Sequence, residues 1–231
     1  MYLAFKRMKE LYQIDVFANK CMPEMSAIPY GYGYAACLAT SMLNEEGIMT
    51  ACEADVPAAI SMYVLNLITG GQKVFFADIA RLHKDENAVT FFNCGTAPVS
   101  MADYDQGVEL WPIAGNIADD ALPTEYCCGK MNGACIKLDL KPDQKVTILR
   151  IGGNDDTLRM HIATARTVKR AAEPGEMCSE RWPGFGLEFK NDRKEFLKHT
   201  VGHHYSLVFG DWSRELTYLA DILKIESVYD Q

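Results

Sequence analysis

The sequence predicts an α/β segment joined to an antiparallel, β-rich segment. Over about the first hundred residues, apolar side chains alternate between helical spacing and short strand-like runs, which is typical of an α/β layer with parallel strands. After about Gly95 the helical spacing stops, and strand-like runs are joined by short turn sequences. These turns favour antiparallel hairpins. The two parts of the chain therefore follow different patterns, and no internal repeat links them.

Helices and strands alternate in the first segment. The helices are indicated by apolar residues at helical spacing, by Pro57 near a first turn, and by glycines after the last turn. The strands are the short apolar runs between them. In chain order, the predicted elements are a helix over residues 1–11, a strand over 14–18, a helix from Tyr34 that closes at Glu46-Gly47, a strand over 48–52, a helix from about Pro57 that ends at Gly70-Gly71, and strands over 74–77 and 89–92.

The second segment is marked by turns. A stretch punctuated by proline and glycine runs from Gly95 to Gly129 with little periodicity. Strand-like runs follow, separated by Lys-Pro-Asp and Gly-Gly-Asn-Asp-Asp turns. These predicted strands cover residues 134–140, 146–151 and 158–168, and a strand over 205–209 and a helix over 213–223 end the chain.

The composition is that of an ordinary globular protein, with 48% hydrophobic and 23% charged residues. The formal net charge is −8 and the pI is near 5.2, which disfavours binding to nucleic acid or to an anionic membrane surface. Residues 1–14 carry no secretory signal, and no apolar run approaches the ~20 residues that span a bilayer. We therefore expect a cytoplasmic protein without nucleic-acid or membrane partners.

Eight cysteines are scattered along the chain and form no Cys-x-x-Cys pair. Several lie in apolar segments, and in the absence of a secretory signal they indicate reduced thiols. A redox or zinc role is the alternative interpretation. The eight are Cys21, Cys37, Cys52, Cys94, Cys127, Cys128, Cys135 and Cys178.

Two acidic residues follow a predicted buried strand. Glu53 stands where the strand over residues 48–52 ends and the helix at Pro57 begins, which is the edge of an α/β sheet where ligands bind. A carboxylate at this edge can reach a metal ion or a substrate hydroxyl, and the alternative is a solvated loop acid. Asp55, two residues later, is interpreted mainly as the N-cap of the helix.

Asp78 is a third candidate acid, because it closes the apolar run over residues 74–77. Glu53 and Asp78 would then lie at equivalent ends of two strands. Two carboxylates placed in this way can share one divalent cation. A turn-forming aspartate is the alternative.

Two adjacent histidines provide the remaining candidate ligands. His203 and His204 follow Gly202 at the start of the strand over residues 205–209. Because neighbouring strand residues point to opposite faces, at most one of them is expected to face a given site. Motifs of metalloproteases, of phosphate-binding loops and of serine hydrolases do not occur. The other histidines, interpreted as surface or packing residues, are His83, His161 and His199.

Taken in order, five segments form a set typical of one protein family. They are residues 34–48, Ala51-Cys52-Glu53-Ala54-Asp55, Val74-Phe75-Phe76-Ala77-Asp78-Ile79, Asn93-Cys94-Gly95-Thr96-Ala97-Pro98 and Gly202-His203-His204-Tyr205. The set resembles the L-fucose isomerase and L-arabinose isomerase family, and in particular its fucose isomerase-like branch. The resemblance extends from about Met1 to Leu223.

The resemblance implies a metal-dependent aldose–ketose isomerase. Members of the family have two amino-terminal α/β domains and a carboxy-terminal β-barrel-like domain. We accordingly assign residues 1–70 to the remnant of a parallel-sheet α/β domain, and residues 71–231 to the antiparallel β-barrel-like domain. Carried over residue by residue, Glu53 and Asp78 match the family's two metal-binding, catalytic carboxylates, and His204 matches its histidine ligand.

The expected cofactor and substrate follow from this ligand set. Oxygen ligands with one imidazole favour Mn²⁺, with Mg²⁺ or Co²⁺ as alternatives. The expected substrate is a small-molecule sugar. Trp182 is the candidate for stacking on a sugar face, and packing is its alternative role.

Two departures from the family pattern affect these expectations. Asn93 stands where the resemblance leads us to expect histidine. The α/β segment begins directly on a helix and has fewer strands than an open parallel sheet needs, which predicts that an amino-terminal segment is missing and that the chain is a homo-oligomer. The expected function is a sugar isomerase or its metal-site-bearing portion. The alternative is a non-catalytic carbohydrate-binding or oligomerisation module of the same fold.

Overall fold

A computed structural model describes residues 1–21, 24–25, 33–84, 86–112, 133–154, 157–170 and 182–231. Its elements in chain order are α1 (Tyr2–Tyr12), β1 (Phe17–Ala18), α2 (Cys37–Glu45), β2 (Thr50–Ala51), α3 (Val56–Ile68), β3 (Phe75–Leu82), β4 (Ala88–Phe92), β5 (Glu109–Pro112), β6 (Ala134–Lys137), β7 (Lys145–Asn154), β8 (Thr157–Val168), β9 (Gly184–Glu188), α4 (Arg193–Lys198), β10 (His204–Phe209), α5 (Ser213–Leu223) and β11 (Glu226–Asp230). A 3-10 turn lies at Val99–Met101.

The first elements form a small parallel layer. Strands β1 and β2 pair in parallel, with Phe17 opposite Thr50. Asp55 caps the amino-terminal end of helix α3, and its side chain accepts a hydrogen bond from the backbone N–H of Ala58 at 2.8 Å. Pro57 fits the first turn of this helix because the proline ring already has a helical φ and the turn needs no N–H there. The predicted helix and its cap are therefore both present.

Six strands of the described residues close into an antiparallel barrel. Their order is β8-β7-β10-β3-β4-β9, and β9 pairs again with β8 to complete the ring. Strand β11 pairs in parallel with residues 159–163 of β8, next to the stretch of β8 that pairs with β9, and β5 and β6 form a separate hairpin. Closure satisfies the backbone groups that an open sheet would leave at its edges. In the described residues, the β-rich segment thus consists of a six-stranded barrel, the added strand β11 and the β5-β6 hairpin.

Side chains on the two faces of the barrel wall belong to two apolar clusters. The interior cluster draws on all six barrel strands, and Phe75, Phe91, Phe185 and Tyr205 are fully buried in it. Phe196 of α4 packs onto the same cluster. The outer cluster joins the outer faces of β3, β7, β8 and β10 to α3 and α5. Alternation along each strand therefore decides which side chains face α3.

The expectation of parallel strands throughout the first segment was wrong for its last two strands. The runs at residues 74–77 and 89–92 correspond to β3 and β4, which pair antiparallel with each other and belong to the barrel. Short apolar runs look alike in parallel and antiparallel sheets when both faces are buried, as they are here. The division between residues 1–70 and 71–231 stays a prediction, and α3 packs directly on β7 and β10.

The described cysteines form no disulfide, and the Sγ atoms of Cys37 and Cys94 lie 3.7 Å apart. Cys127, Cys128 and Cys178 lie outside the described residues. Among the described helices, none has both the length and the apolar character needed to cross a bilayer.

Candidate metal centre

Four side chains from three parts of the chain converge beside the outer face of the barrel. Each offers one ligand atom, and these atoms all lie within 4.8 Å of one another. Nε2 of His204 is 3.0 Å from Oδ1 of Asp78 and 3.4 Å from Oε2 of Glu53. Nε2 of His203 is 3.8 Å from the same Asp78 oxygen and 4.0 Å from the same Glu53 oxygen. Two carboxylate oxygens and two imidazole nitrogens thus surround one point.

Antiparallel pairing brings Asp78 and His204 together. Asp78 on β3 lies directly opposite His204, the first residue of β10. Directly opposed residues project to the same face of a sheet, and here that face is turned toward α3. The prediction that Asp78 ends its strand was wrong, because β3 continues to Leu82. Asp78 reaches the site through its cross-strand neighbour, not through a strand end equivalent to that of Glu53.

Glu53 reaches the site from a strained turn between β2 and α3. Glu53 and Ala54 both have left-handed backbone conformations, with φ of 58° and 55°. For residues other than glycine this conformation costs on the order of 1 kcal/mol each. Backbone hydrogen bonds from Ala54 to Asn19 (3.1 Å) and from Asp55 to Cys52 (3.1 Å) hold the turn. The left-handed turn at Glu53 and Ala54 directs the carboxylate of Glu53 toward His204.

Asp55 fixes the orientation of the His204 ring. Its Oδ2 lies 2.7 Å from Nδ1 of His204 and also accepts a hydrogen bond from Arg150 at 2.7 Å. With Nδ1 turned to Asp55, the other ring nitrogen, Nε2, points toward Glu53 and Asp78. A carboxylate behind a histidine is the arrangement that orients imidazole ligands in metal sites. Asp55 is therefore both the predicted helix cap and the support of His204.

The Nε2 atom of His204 is buried and lacks a hydrogen-bond partner in the described residues, although Asp78 lies 3.0 Å away. A buried polar atom without a partner is costly, and a bound cation would satisfy it. The donor set of two carboxylates and two imidazoles suits a divalent first-row metal ion. The residues present therefore fit the expected metal.

Asn93 holds the second oxygen of Asp78. Its side-chain amide donates to Oδ2 at 3.0 Å. The side-chain oxygen of Asn93 accepts hydrogen bonds from the backbone N–H groups of Gly95 and Thr96, each at 3.2 Å, which fixes the amide orientation. Asn93 thus keeps one Asp78 oxygen occupied and leaves Oδ1 directed at the centre. The departure from histidine at this position preserves a donor to Asp78.

The electrostatics of the site favour a positive charge at its centre. Burial alone lowers the pKa of His204, but contacts with Asp55, Asp78 and Glu53 outweigh it and raise the pKa to about 11. The nearby ring of His204, whose Nε2 is 3.4 Å from the Glu53 carboxylate, lowers the pKa of Glu53. Burial works to raise the pKa of Asp55, yet His204 and Arg150 hold it well below its usual range. Without a cation, a protonated His204 supplies the positive charge that these carboxylates require.

Trp182 lies close to the site but does not belong to the ligand cluster. Its ring packs edge-on against Phe92 with ring centroids 5.4 Å apart. Phe92 is the register partner of Asp78 on β4, so its ring projects to the same face as the candidate ligands. Trp182 is partly buried against the outer cluster. A contact with sugar stays a prediction for this residue.

Sequence reasoning missed two contributors. His203 lies within 4.0 Å of both acids because β10 begins only at His204, so the strand alternation that was expected to exclude it does not apply. Its side chain is 65% exposed. Arg150 lies inside β7 among apolar residues, and no local signal indicates that it pairs with Asp55. The adjacent His203-His204 pair was the available signal for the first of these two residues.

The chain is similar to sulfoquinovose isomerases. It is 28% identical over 236 residues to the sulfoquinovose isomerase of Clostridium sp. (strain MSTE9), a match that covers 100% of the chain and 47% of that protein. The sulfoquinovose isomerases of Priestia aryabhattai and Alkalicoccus urumqiensis are 25% and 23% identical over 93% of the chain and 44% of each protein.

The chain thus spans about half the length of the curated relatives that it matches. No protein-family model matches it. The relatives support a relationship to sugar isomerases in general, and they do not single out the L-fucose or L-arabinose isomerases.

Proposed function

We propose that this chain carries the metal centre of an aldose–ketose sugar isomerase. The observation that supports this most strongly is the convergence of Glu53, Asp78, His203 and His204, with one ligand atom each, within 4.8 Å. The similarity to sulfoquinovose isomerases supports the reaction class. Glu53, Asp78 and His204 would hold the ion, with His203 as a fourth ligand. Mn²⁺ is the proposed cation, and Mg²⁺ or Co²⁺ are alternatives.

The reaction moves a proton between C1 and C2 of an open-chain sugar through an enediol. A divalent cation would supply Lewis-acid stabilisation of the charge that develops on the sugar oxygens. Glu53 is better placed than Asp78 to carry the proton. Its side chain is 40% exposed and stands on a turn, whereas the second oxygen of Asp78 is already bound by Asn93. We therefore assign proton transfer mainly to Glu53 and ion binding mainly to Asp78 and His204.

The proposed substrate is an aldose, with sulfoquinovose as the first sugar to test because the relatives are named for it. L-Fucose and L-arabinose are the sugars suggested by the family resemblance. Trp182 would supply an apolar ring beside the site for a sugar face. A homo-oligomer is part of the proposal, because Leu3 and Leu11 leave apolar surface exposed on α1.

Metal binding is the direct test of the centre. Titration of the chain with Mn²⁺, followed by electron paramagnetic resonance, should show one tightly bound ion. Glu53→Gln should weaken binding at least 10-fold, because it removes the charge of one ligand and keeps its size. Glu10→Gln is the matched control, since Glu10 is an exposed acid on α1. Unchanged Mn²⁺ affinity in the Glu53 variant would contradict the proposed centre.

Proton exchange tests the reaction separately. In D₂O with saturating Mn²⁺, an isomerase exchanges the hydrogen at C2 of its sugar for deuterium, even where net conversion is slow. Nuclear magnetic resonance would follow this exchange for sulfoquinovose, L-fucose and L-arabinose. Sugar binding without exchange would instead favour the alternative function, a non-catalytic carbohydrate-binding or oligomerisation module. That alternative has one observation in its favour, which is that the chain covers less than half of each relative.

A further inference from the structure

A second group of potential ligands lies on the opposite face of the barrel wall. His161 of β8, His199 after α4, and Asp230 of β11 each offer one ligand atom, and these atoms lie within 4.8 Å of one another. Nε2 of His161 is 2.8 Å from Oδ2 of Asp230, and Nδ1 of His199 is 2.9 Å from the same oxygen. We call these three residues the His161 cluster. None of them contacts the candidate metal centre in the described residues.

The barrel wall separates the two groups. His204 and Tyr205 are neighbours on β10 and therefore project to opposite faces. His204 points to the candidate metal centre, whereas Tyr205 belongs to the interior cluster and contacts Nδ1 of His161 at 2.5 Å. His161 lies on the same face of β8 as Ala163, another interior residue. The His161 cluster is thus built from the interior side of the barrel.

The three side chains of the cluster become more exposed from the barrel interior toward solvent. The side chain of His161 is 0% exposed, that of Asp230 is 9% exposed and that of His199 is 36% exposed. Phe196 covers the His161 ring, with centroids 5.1 Å apart. A buried carboxylate between two imidazoles is costly unless it is well compensated. His199 leaves one side open, through which an ion can reach the other two ligands.

We propose that the His161 cluster binds a first-row transition-metal ion, with Zn²⁺ as the preferred ion, and that this ion joins β11 and the end of α4 to the barrel. Two imidazoles and one carboxylate from three separate elements form a common ligand set for zinc. The ligands come from β8, from the residue that follows α4, and from β11 at the carboxy-terminal end of the chain. A bound ion would therefore connect segments that are distant in sequence.

The spacing of the ligand atoms is close to that required by such an ion. Metal–ligand bonds of about 2.1 Å in a tetrahedral arrangement place the ligand atoms about 3.4 Å apart. The distances from Oδ2 of Asp230 to Nε2 of His161 and to Nδ1 of His199 are now 2.8 and 2.9 Å. Each would therefore lengthen by roughly 0.5 Å when the ion binds. A shift of this size needs only small side-chain rotations. The ion would replace the protons that now join Asp230 to the two rings.

Tyr205 supplies the outer contact expected for a histidine ligand. Its hydroxyl lies against Nδ1 of His161, the ring nitrogen that would not bind the ion. A partner at this nitrogen fixes the ring orientation in metal sites. Asp230 also contacts His199 through Oδ1, at 3.2 Å, so both of its oxygens already face the cluster.

The test uses the full chain with the candidate metal centre disabled by Glu53→Gln and Asp78→Asn. In this background, equilibrium dialysis should show one bound Zn²⁺ per chain. His199→Gln and Asp230→Asn should each weaken binding at least 10-fold, and Zn²⁺ should raise the Tm of the background protein but not that of these variants. His83→Gln is the matched control, because His83 is a buried histidine bound to Glu86 and Thr90 outside the cluster.

Co²⁺ in place of Zn²⁺ identifies the ligand type. Nitrogen and oxygen ligands give visible d–d bands without the near-ultraviolet charge-transfer band of a thiolate. A thiolate band would assign the ion to cysteine residues and overturn the proposal, as would zinc binding that survives His199→Gln. Failure of the background protein to bind Zn²⁺ would also overturn it. His199 is partly exposed, so we expect the His199→Gln variant to fold. It therefore tests the proposed zinc site even if His161→Gln does not fold.

Discussion

Asp55 links helix formation to the candidate metal centre. One carboxylate oxygen caps α3, and the other joins Arg150 to the ring of His204. The capping role could be predicted, because an aspartate two residues before Pro57 is a local signal. The contact with His204 could not, because these residues are 149 positions apart and meet only through barrel closure. Glu53, Asp78 and His204 were found by their family resemblance, whereas Arg150 carries no signal in its own segment.

Asp55→Asn should weaken Mn²⁺ binding by about 10- to 100-fold, because it removes the charge that supports a ligand histidine. It should also lower the free energy of unfolding by about 3 kcal/mol, since Arg150 is left buried without a carboxylate. Isothermal titration calorimetry and urea denaturation measure the two effects. Asp143→Asn is the control, because Asp143 pairs with Arg166 at the surface and should change neither quantity appreciably. Unaltered Mn²⁺ affinity in the Asp55 variant would remove this residue from the site.

Among the secondary-structure elements, the helices were the easiest to predict. Helices α1, α3 and α5 follow the expected ranges closely, because each carries apolar residues at helical spacing in its own sequence, whereas the short helix α4 was not predicted. The pairing of β3 and β4 was predicted wrongly, since the direction of pairing depends on distant partners. Barrel closure through β8 and β9 is likewise non-local. The hairpin of β7 and β8 was predictable from its turn sequence.

Gly202, just before β10, tests how neighbouring elements support the site. A Cβ atom at this position would lie 2.8 Å from Nε and 3.0 Å from Cζ of Arg150. Gly202→Ala should therefore push the guanidinium away from Asp55 and weaken Mn²⁺ binding several-fold, with a stability loss of about 1–3 kcal/mol. Gly70→Ala is the control. It strains a backbone with φ of +69° but meets no atom within 4 Å, so it should lower stability without changing Mn²⁺ affinity.

For the molecule as a whole, α1 presents an uncovered apolar surface. None of its residues is buried, and Leu3, Leu11 and Tyr12 are 76%, 56% and 70% exposed. Apolar patches of this kind mark contact surfaces. We expect a second copy of the chain to cover α1. Light scattering after gel filtration should show a dimer or larger species, and Leu3→Lys with Leu11→Lys should shift it toward monomer. Ile222→Lys on α5, equally exposed at 76%, is the control and should leave the assembly intact.

This chain should bind Mn²⁺ tightly although it isomerises sugars slowly or not at all. The candidate ligands all lie within the chain, whereas the relatives extend over about twice its length. Isomerisation requires the open-chain sugar to be held against ion and base to within a fraction of an ångström, and the loss of one wall of the cleft costs orders of magnitude in rate. We therefore expect tight Mn²⁺ binding together with weak or undetectable net isomerisation of sulfoquinovose, L-fucose and L-arabinose. A coupled ketose assay at saturating Mn²⁺, run on the same fractions as the light scattering, measures both properties. Fast turnover by a monomeric fraction would show instead that the described barrel, with α3 and the small parallel layer, forms a sufficient isomerase.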